Sequence, residues 1–123
     1  MTVQIDIKGI PKVKKFLKTK DKNIEIQIKK GIVKSSVFLQ GEVKQSIAGR
    51  RAEHISVDTG RFLNSVGFQV KGMSGQVFSK LPYARKLEFG TDFKNSPRKH
   101  FRNSADRSRG KIKNIIQKQI KYI

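Results

Sequence analysis

The residues of this chain best suited to chemistry are Asp58-Thr59-Gly60. Two carboxylates presented by such triplets, sharing one proton, hydrolyse peptide bonds, and a short chain would supply one aspartate from each copy of a dimer. The surroundings argue against that chemistry. Arg50 and Arg51 precede the triplet and Arg61 follows it, and a cation beside the carboxylate pair depresses the pKa that must be raised. A structural role fits better: Asp58 accepts N–H bonds from Gly60 and Arg61 as an Asx turn or N-cap, Thr59 adds a second oxygen, and Gly60 takes positive φ. Arg61 then leaves the turn with Glu88 as its expected partner, a pair that would clamp two distant segments.

Other routes to chemistry are thinner. His54 and His100 are the only histidines and stand without neighbouring ligands, whereas a metal site needs three or four at matched spacing; both are read as surface or interface residues. The absence of cysteine removes disulfides, thiolate nucleophiles and cysteine-ligated metals. The glycines of Gly72-Met73-Ser74-Gly75 lack the Lys-Ser or Lys-Thr of a phosphate cradle. No catalytic, cofactor or metal residue is therefore expected, and the chain is not read as an enzyme.

Charge is the strongest compositional signal. Lys and Arg number 28 against 9 Asp and Glu, a formal +19, and such a field attracts nucleic acid or acidic surfaces and repels copies of itself. Basic residues outnumber acidic ones by 12 to 4 in residues 1–50, by 6 to 3 in 51–90 and by 10 to 2 in 91–123. The ends are basic and the middle is near balance. The basic runs Lys12, Lys14, Lys15, Lys18, Lys20 and Lys22, and Arg98, Lys99, Arg102, Arg107, Arg109, Lys111 and Lys113, are candidate contacts for DNA phosphates or an acidic partner. No helix-turn-helix, zinc finger or stacked-aromatic RNA motif accompanies them, so any nucleic-acid contact would be sequence-independent and steeply salt-dependent.

The elements that must carry these residues fit one domain over residues 1–123. Val3, Ile5 and Ile7 alternate as a half-buried strand ended by Gly9 and Pro11, and a short amphipathic helical turn is expected over 11–18. Asp21 is the expected N-cap of a long helix whose buried face is Ile24, Ile28, Ile32, Leu39, Val43 and Ile47. Val33, Val37 and Phe38 widen that stripe and predict cover on more than one side. Gly31 and Gly41 inside the helix imply close packing or a bend, and Gly49 closes it as a C-cap. Residues 51–66 form the Asp-Thr-Gly turn. A hairpin follows over 64–80, with a five-residue connection at Lys71-Gly72-Met73-Ser74-Gly75, then a helical turn or two within Tyr83–Phe89. After Pro97 a helix carries Phe101, Ala105, Ser108, Ile112, Ile115 or Ile116, and Ile120. The expected fold is α+β, a small antiparallel sheet with a long hairpin packed against a long central helix and a C-terminal helix. No apolar run has signal-peptide or membrane-spanning length, so a soluble protein made inside the cell is expected, with no membrane partner.

Two segments in this order carry a resemblance: Ser56-Val57-Asp58-Thr59-Gly60-Arg61-Phe62 with Ser65, and Tyr83-Ala84 with Glu88-Phe89-Gly90-Thr91, followed by Phe101 and Ala105. Together they resemble the neck and tail-completion (head-tail joining) proteins of long-tailed bacteriophages, over nearly the whole chain. Ser56 and Ser104 stand where that family usually shows proline.

The resemblance implies a virion structural protein at the neck or tail top, assembled in the host cytoplasm. It also implies a homo-oligomer, usually a sixfold ring, between head-closure (adaptor) proteins and the tail terminator or tail tube, around the path of the DNA. On that expectation Asp58, Thr59, Gly60, Arg61, Ser65, Tyr83, Ala84, Glu88, Phe89, Gly90 and Thr91 serve structure and subunit contacts, and the basic ends meet acidic neighbours or channel DNA. The alternative is a small basic protein that binds nucleic acid without sequence preference.

Overall fold

The computed structural model describes residues 2–6, 22–53, 55–57, 60–90 and 97–120. Its elements run β1 (Thr2–Asp6), α1 (Lys22–Ile47), α2 (Arg61–Ser65), β2 (Gly67–Lys71), β3 (Ser74–Phe78), α3 (Ala84–Phe89) and α4 (His100–Ile120). The chain is α+β, as its alternating strand patterns and long helical periodicities predict. The expected turn over 11–18, the Asp21 cap and Ile7 lie outside the described residues. Among the described residues no helix is long and apolar enough to cross a membrane.

The sheet has three antiparallel strands in the order β1-β3-β2. Val3 faces Val77 across one ladder and Phe68 faces Val77 across the other, so β3, with its alternating burial, is the strand whose apolar residue enters the core. The hairpin is tighter than its glycine-flanked sequence predicts. Lys71 pairs directly with Ser74, leaving a two-residue turn of Gly72 and Met73 rather than a five-residue connection. Gly72 at φ 58° supplies the positive φ that two-residue hairpin turns demand. The strand also begins later than Asn64, because 61–65 is a helical turn.

Helix α1 lies on the sheet and α4 packs along it in the opposite direction, joining α1's start to α4's end and α1's end to α4's start. All six apolar residues of the anticipated stripe, Ile24 to Ile47, are buried. They fall into two clusters: Leu39, Val43 and Ile47 with Phe62, Val66, Val77, Ala84 and Phe101, and Ile24, Ile28 and Ile32 with Ile116 and Ile120. Ile112 packs on both. Helix α1 is covered on more than one side, by the sheet and by α4, but not through the residues that predicted it: among the described residues Val33 and Val37 are exposed and Phe38 is half-buried.

Gly49 ends α1 in a Schellman motif. It takes φ 81°, its N–H donates to Ser46 O, and Arg50 N–H reaches back to Gln45 O, satisfying carbonyls the last turn leaves open. The two interior glycines differ. A Cβ on Gly31 would sit 3.3 Å from Ile116 Cα, in the helix–helix contact, whereas one on Gly41 would meet nothing within 4 Å. Gly41→Ala should therefore stabilise the protein by up to about 1 kcal/mol, and Gly31→Val should destabilise it by about 1–3 kcal/mol through overpacking. Chemical denaturation of the two variants checks both signs.

Candidate functional site

Two of the chain's few carboxylates are buried where the end of α1, the loop after it, α3 and the start of α4 meet. Glu88 is 1% exposed. Its Oε1 accepts Phe101 N–H at 2.9 Å, and its Oε2 accepts Arg102 N–H at 3.0 Å and Arg102 Nε at 3.0 Å. The first turn of a helix leaves N–H groups without partners and carries the positive end of its dipole. Glu88 thus caps α4 from a distant helix with a full negative charge, and Arg102 Nη2 also donates to Glu88 O at 2.7 Å. The cation on Glu88 is Arg102 rather than the expected Arg61: α4 begins against α3, and its own third residue reaches the carboxylate from inside the capped turn.

Glu53 is the second anchor. Arg107 grips both its oxygens at 2.7 Å, Ser46 Oγ donates at 2.5 Å and Asn103 Nδ2 at 3.2 Å. The Arg107 guanidinium above all, helped by Ser46 and Asn103 against the opposing effect of burial, holds the Glu53 carboxyl down at about 2. The carboxylate is therefore ionised and can only accept.

That fixes the hydrogens of the chain beside it. Ser46 spends its one proton on Glu53, so the His100 Nδ1 contact at 2.7 Å is an Nδ1–H donating to Ser46 Oγ. Burial lowers the His100 pKa, the ring is neutral, and Nε2 accepts from Ser56 Oγ at 2.7 Å. Arg98 Nη1 donates to Ser56 Oγ at 2.8 Å and to Ile55 O at 2.9 Å. Donation runs in one direction from Arg98 through Ser56, His100 and Ser46 to Glu53, where Arg107 donates from the other side, and the line stitches the 53–57 loop to α1 and α4.

A hydroxyl, an imidazole and an acid in series also describes a nucleophilic relay. Here a second serine separates imidazole from carboxylate, the guanidinium of Arg98 holds a lone pair that would attack, and His100 is fully buried. The arrangement fastens segments together. It does so next to a non-glycine residue in the left-handed region, Lys99 at φ 53°, a conformation that surrounding contacts must hold in place.

The two recognised segments supply the rest of the frame. Phe62 is buried and meets Tyr83 edge-on at 5.9 Å and His100 at 6.1 Å between ring centroids. Ser65 Oγ donates to Phe62 O and lies 2.7 Å from Ser79 Oγ, tying α2 to the end of β3. Ala84 is buried. Gly60 and Gly90 take φ 81° and 80°, the first opening α2 and the second closing α3. Phe89 is exposed beneath the Arg102 guanidinium at 4.6 Å. Asp58, Thr59, Thr91 and His54 lie outside the described residues.

The anticipated basic contacts divide. Arg98, Arg102 and Arg107 are held by internal partners. Lys99, Lys111 and Lys113 are exposed, as is Arg109, whose 3.3 Å pair with Asp106 is itself largely in solvent and contributes little. Lys12, Lys14, Lys15, Lys18 and Lys20 lie outside the described residues. His100, expected at a surface, is fully buried. Sequence reasoning passed over Glu53 and Ser46, although an acid in so basic a chain is a natural anchor for several donors.

Both titrating groups set the same pH response. His100 is depressed from 6.5, so its contribution is complete above 6.5 and is lost as acid charges the ring. Glu53 is depressed from 4.5 to about 2, so its contribution is complete above 4.5 and is lost on falling to 2; that limb is on the order of 3 kcal/mol. Melting temperature should thus fall below pH 6.5 and more steeply below 4.5, and Glu53→Gln should flatten the lower limb. Removing the cap by Glu88→Ala should cost about 2–3 kcal/mol. A double-mutant cycle with Arg102→Ala should show coupling above about 0.5 kcal/mol.

Comparison with protein-family models, with curated proteins and with solved structures finds no match to this chain.

Proposed function

We propose that this chain is a virion structural protein of a tailed bacteriophage, part of the neck or head-tail connector, which completes the tail or joins it to the DNA-filled head. The observation that supports this reading most is the use made of the two motif segments. Phe62, Ser65, Tyr83, Ala84, Glu88 and Gly90 pack, cap and turn the chain around the start of α4. Motif residues employed in this way suit a protein whose product is an assembly rather than a reaction. The order of strand, long helix, hairpin and terminal helix is also that of the family resembled.

On this reading the protein acts in the virion, as a homo-oligomer, with six copies in a ring as the stoichiometry the resemblance favours. Its neighbours are the head-closure or adaptor protein on one side and the tail terminator or tail tube on the other. A ring of chains each carrying +19 requires counter-charge, which acidic neighbours or DNA in the channel provide.

A second reading keeps one observation in its favour. The exposed cations Arg109, Lys111, Lys113 and Lys118 of α4 suit sequence-independent contact with phosphates. Affinity purification of the tagged protein from virus-producing cells, after nuclease digestion, separates the two. Portal-side or tail proteins should remain bound; loss of every partner on digestion would overturn the joining role in favour of the nucleic-acid binder.

A further inference from the structure

The near-balanced charge of the middle of the chain is unevenly placed among its described residues. Of the acids in residues 51–90, Glu53 and Glu88 are buried, while Arg61, Lys71, Lys80, Arg85 and Lys86 are exposed. Among the described residues the solvent-facing charge of this segment is entirely basic.

On the same surface, four large apolar side chains stand out: Ile55, Val57, Tyr83 and Phe89 are 50%, 43%, 37% and 47% exposed. They belong to one region. Arg98 bonds Ile55 O through its guanidinium and Leu87 O through its own N–H, which places the 55–57 loop beside α3. Tyr83 meets Phe62, which meets His100, and His100 holds Ser56. Phe89 lies under Arg102. The same segments carry the exposed cations Arg85, Lys86 and Lys99, with the internally held Arg98 and Arg102 half-buried beside them.

From this we infer that the face formed by the 55–57 loop, α3 and the start of α4 docks an acidic, apolar-centred surface of a different protein. Exposed aliphatic and aromatic residues framed by arginine have the composition of a protein interface. Phosphate backbones would use the cations and leave Ile55 and Val57 without a role. A second copy carries the same formal +19 and offers this face little negative charge, so the partner inferred for this face is a different protein. The inference rests on the joining role only for where such a partner is found.

The test uses the purified full-length chain. A 20-residue peptide of Glu, Leu and Phe is compared with polyglutamate of equal charge and with 20-base-pair DNA, and sedimentation reports self-association. At near-physiological salt the mixed peptide should bind at least tenfold more tightly than polyglutamate. Val57→Ser with Phe89→Ser, and separately Arg85→Glu with Lys86→Glu, should each weaken it tenfold or more with unchanged melting. Amide shifts of the wild-type chain should then map to 55–57, 83–89 and 98–102.

Equal affinity for the two peptides, or shifts confined to 106–118, would overturn the inference. So would DNA binding weakened by both double variants, which assigns the face to nucleic acid, or self-association abolished by Val57→Ser with Phe89→Ser, which assigns it to a second copy. Peptide binding without head or tail proteins recovered from cells would sink the joining role alone, and the reverse would sink this face alone.

Discussion

A chain this basic has few carboxylates to place, and the fold depends on where it buries two of them. The start of α4 presents unpaired N–H groups, a helix dipole and two arginines, all electropositive. Glu88 and Glu53 answer them from α3 and from the loop after α1. Without these anions the helix that covers α1 would begin in a region of uncompensated positive charge. Apolar packing holds the far end of the same helix pair, where Ile24, Ile28 and Ile32 meet Ile116 and Ile120. Apolar packing closes both ends of the helix pair, with Leu39, Val43 and Ile47 meeting Phe101 at the other end; among the described residues the buried carboxylates are added at that end alone.

This division has a consequence for the surface. Each acid drawn inward leaves the exterior more basic than the composition alone suggests, and the effect is greatest in the segment whose formal charge is nearest zero. Recognition by such a surface depends on a partner that brings negative charge together with apolar contact. Like-charged copies must assemble through other surfaces or with help from acidic neighbours.

Much of the architecture was legible in the sequence because it is written in periodicity. The fourfold and sevenfold spacing from Ile24 to Ile47 marked the buried face of α1, and the alternation that begins at Val3 and Ile5 marked β1. Turn geometry was harder: Gly72 and Gly75 look equivalent in sequence, yet only Gly72 turns, while Gly75 lies in β3 against Ile32 and Ser36. Val33 and Val37 carry the spacing of a packed face yet are exposed, because spacing reports amphipathicity and not which face the sheet and α4 come to cover. The polar frame was least legible. Its members Ser46, Glu53, Ser56, Glu88 and His100 come from separate elements, and only tertiary packing selects Arg102 over Arg61 as the cation for Glu88.

The central physical claim is that Glu88 holds the first turn of α4 closed, and hydrogen exchange of the Phe101 and Arg102 amides tests it most directly. Helix-start amides ordinarily exchange quickly because they lack partners. Bound to a buried carboxylate, these two should exchange only through global unfolding, as slowly as amides in the middle of α1. Rapid exchange at both, at the rate of a frayed helix end, would contradict the account.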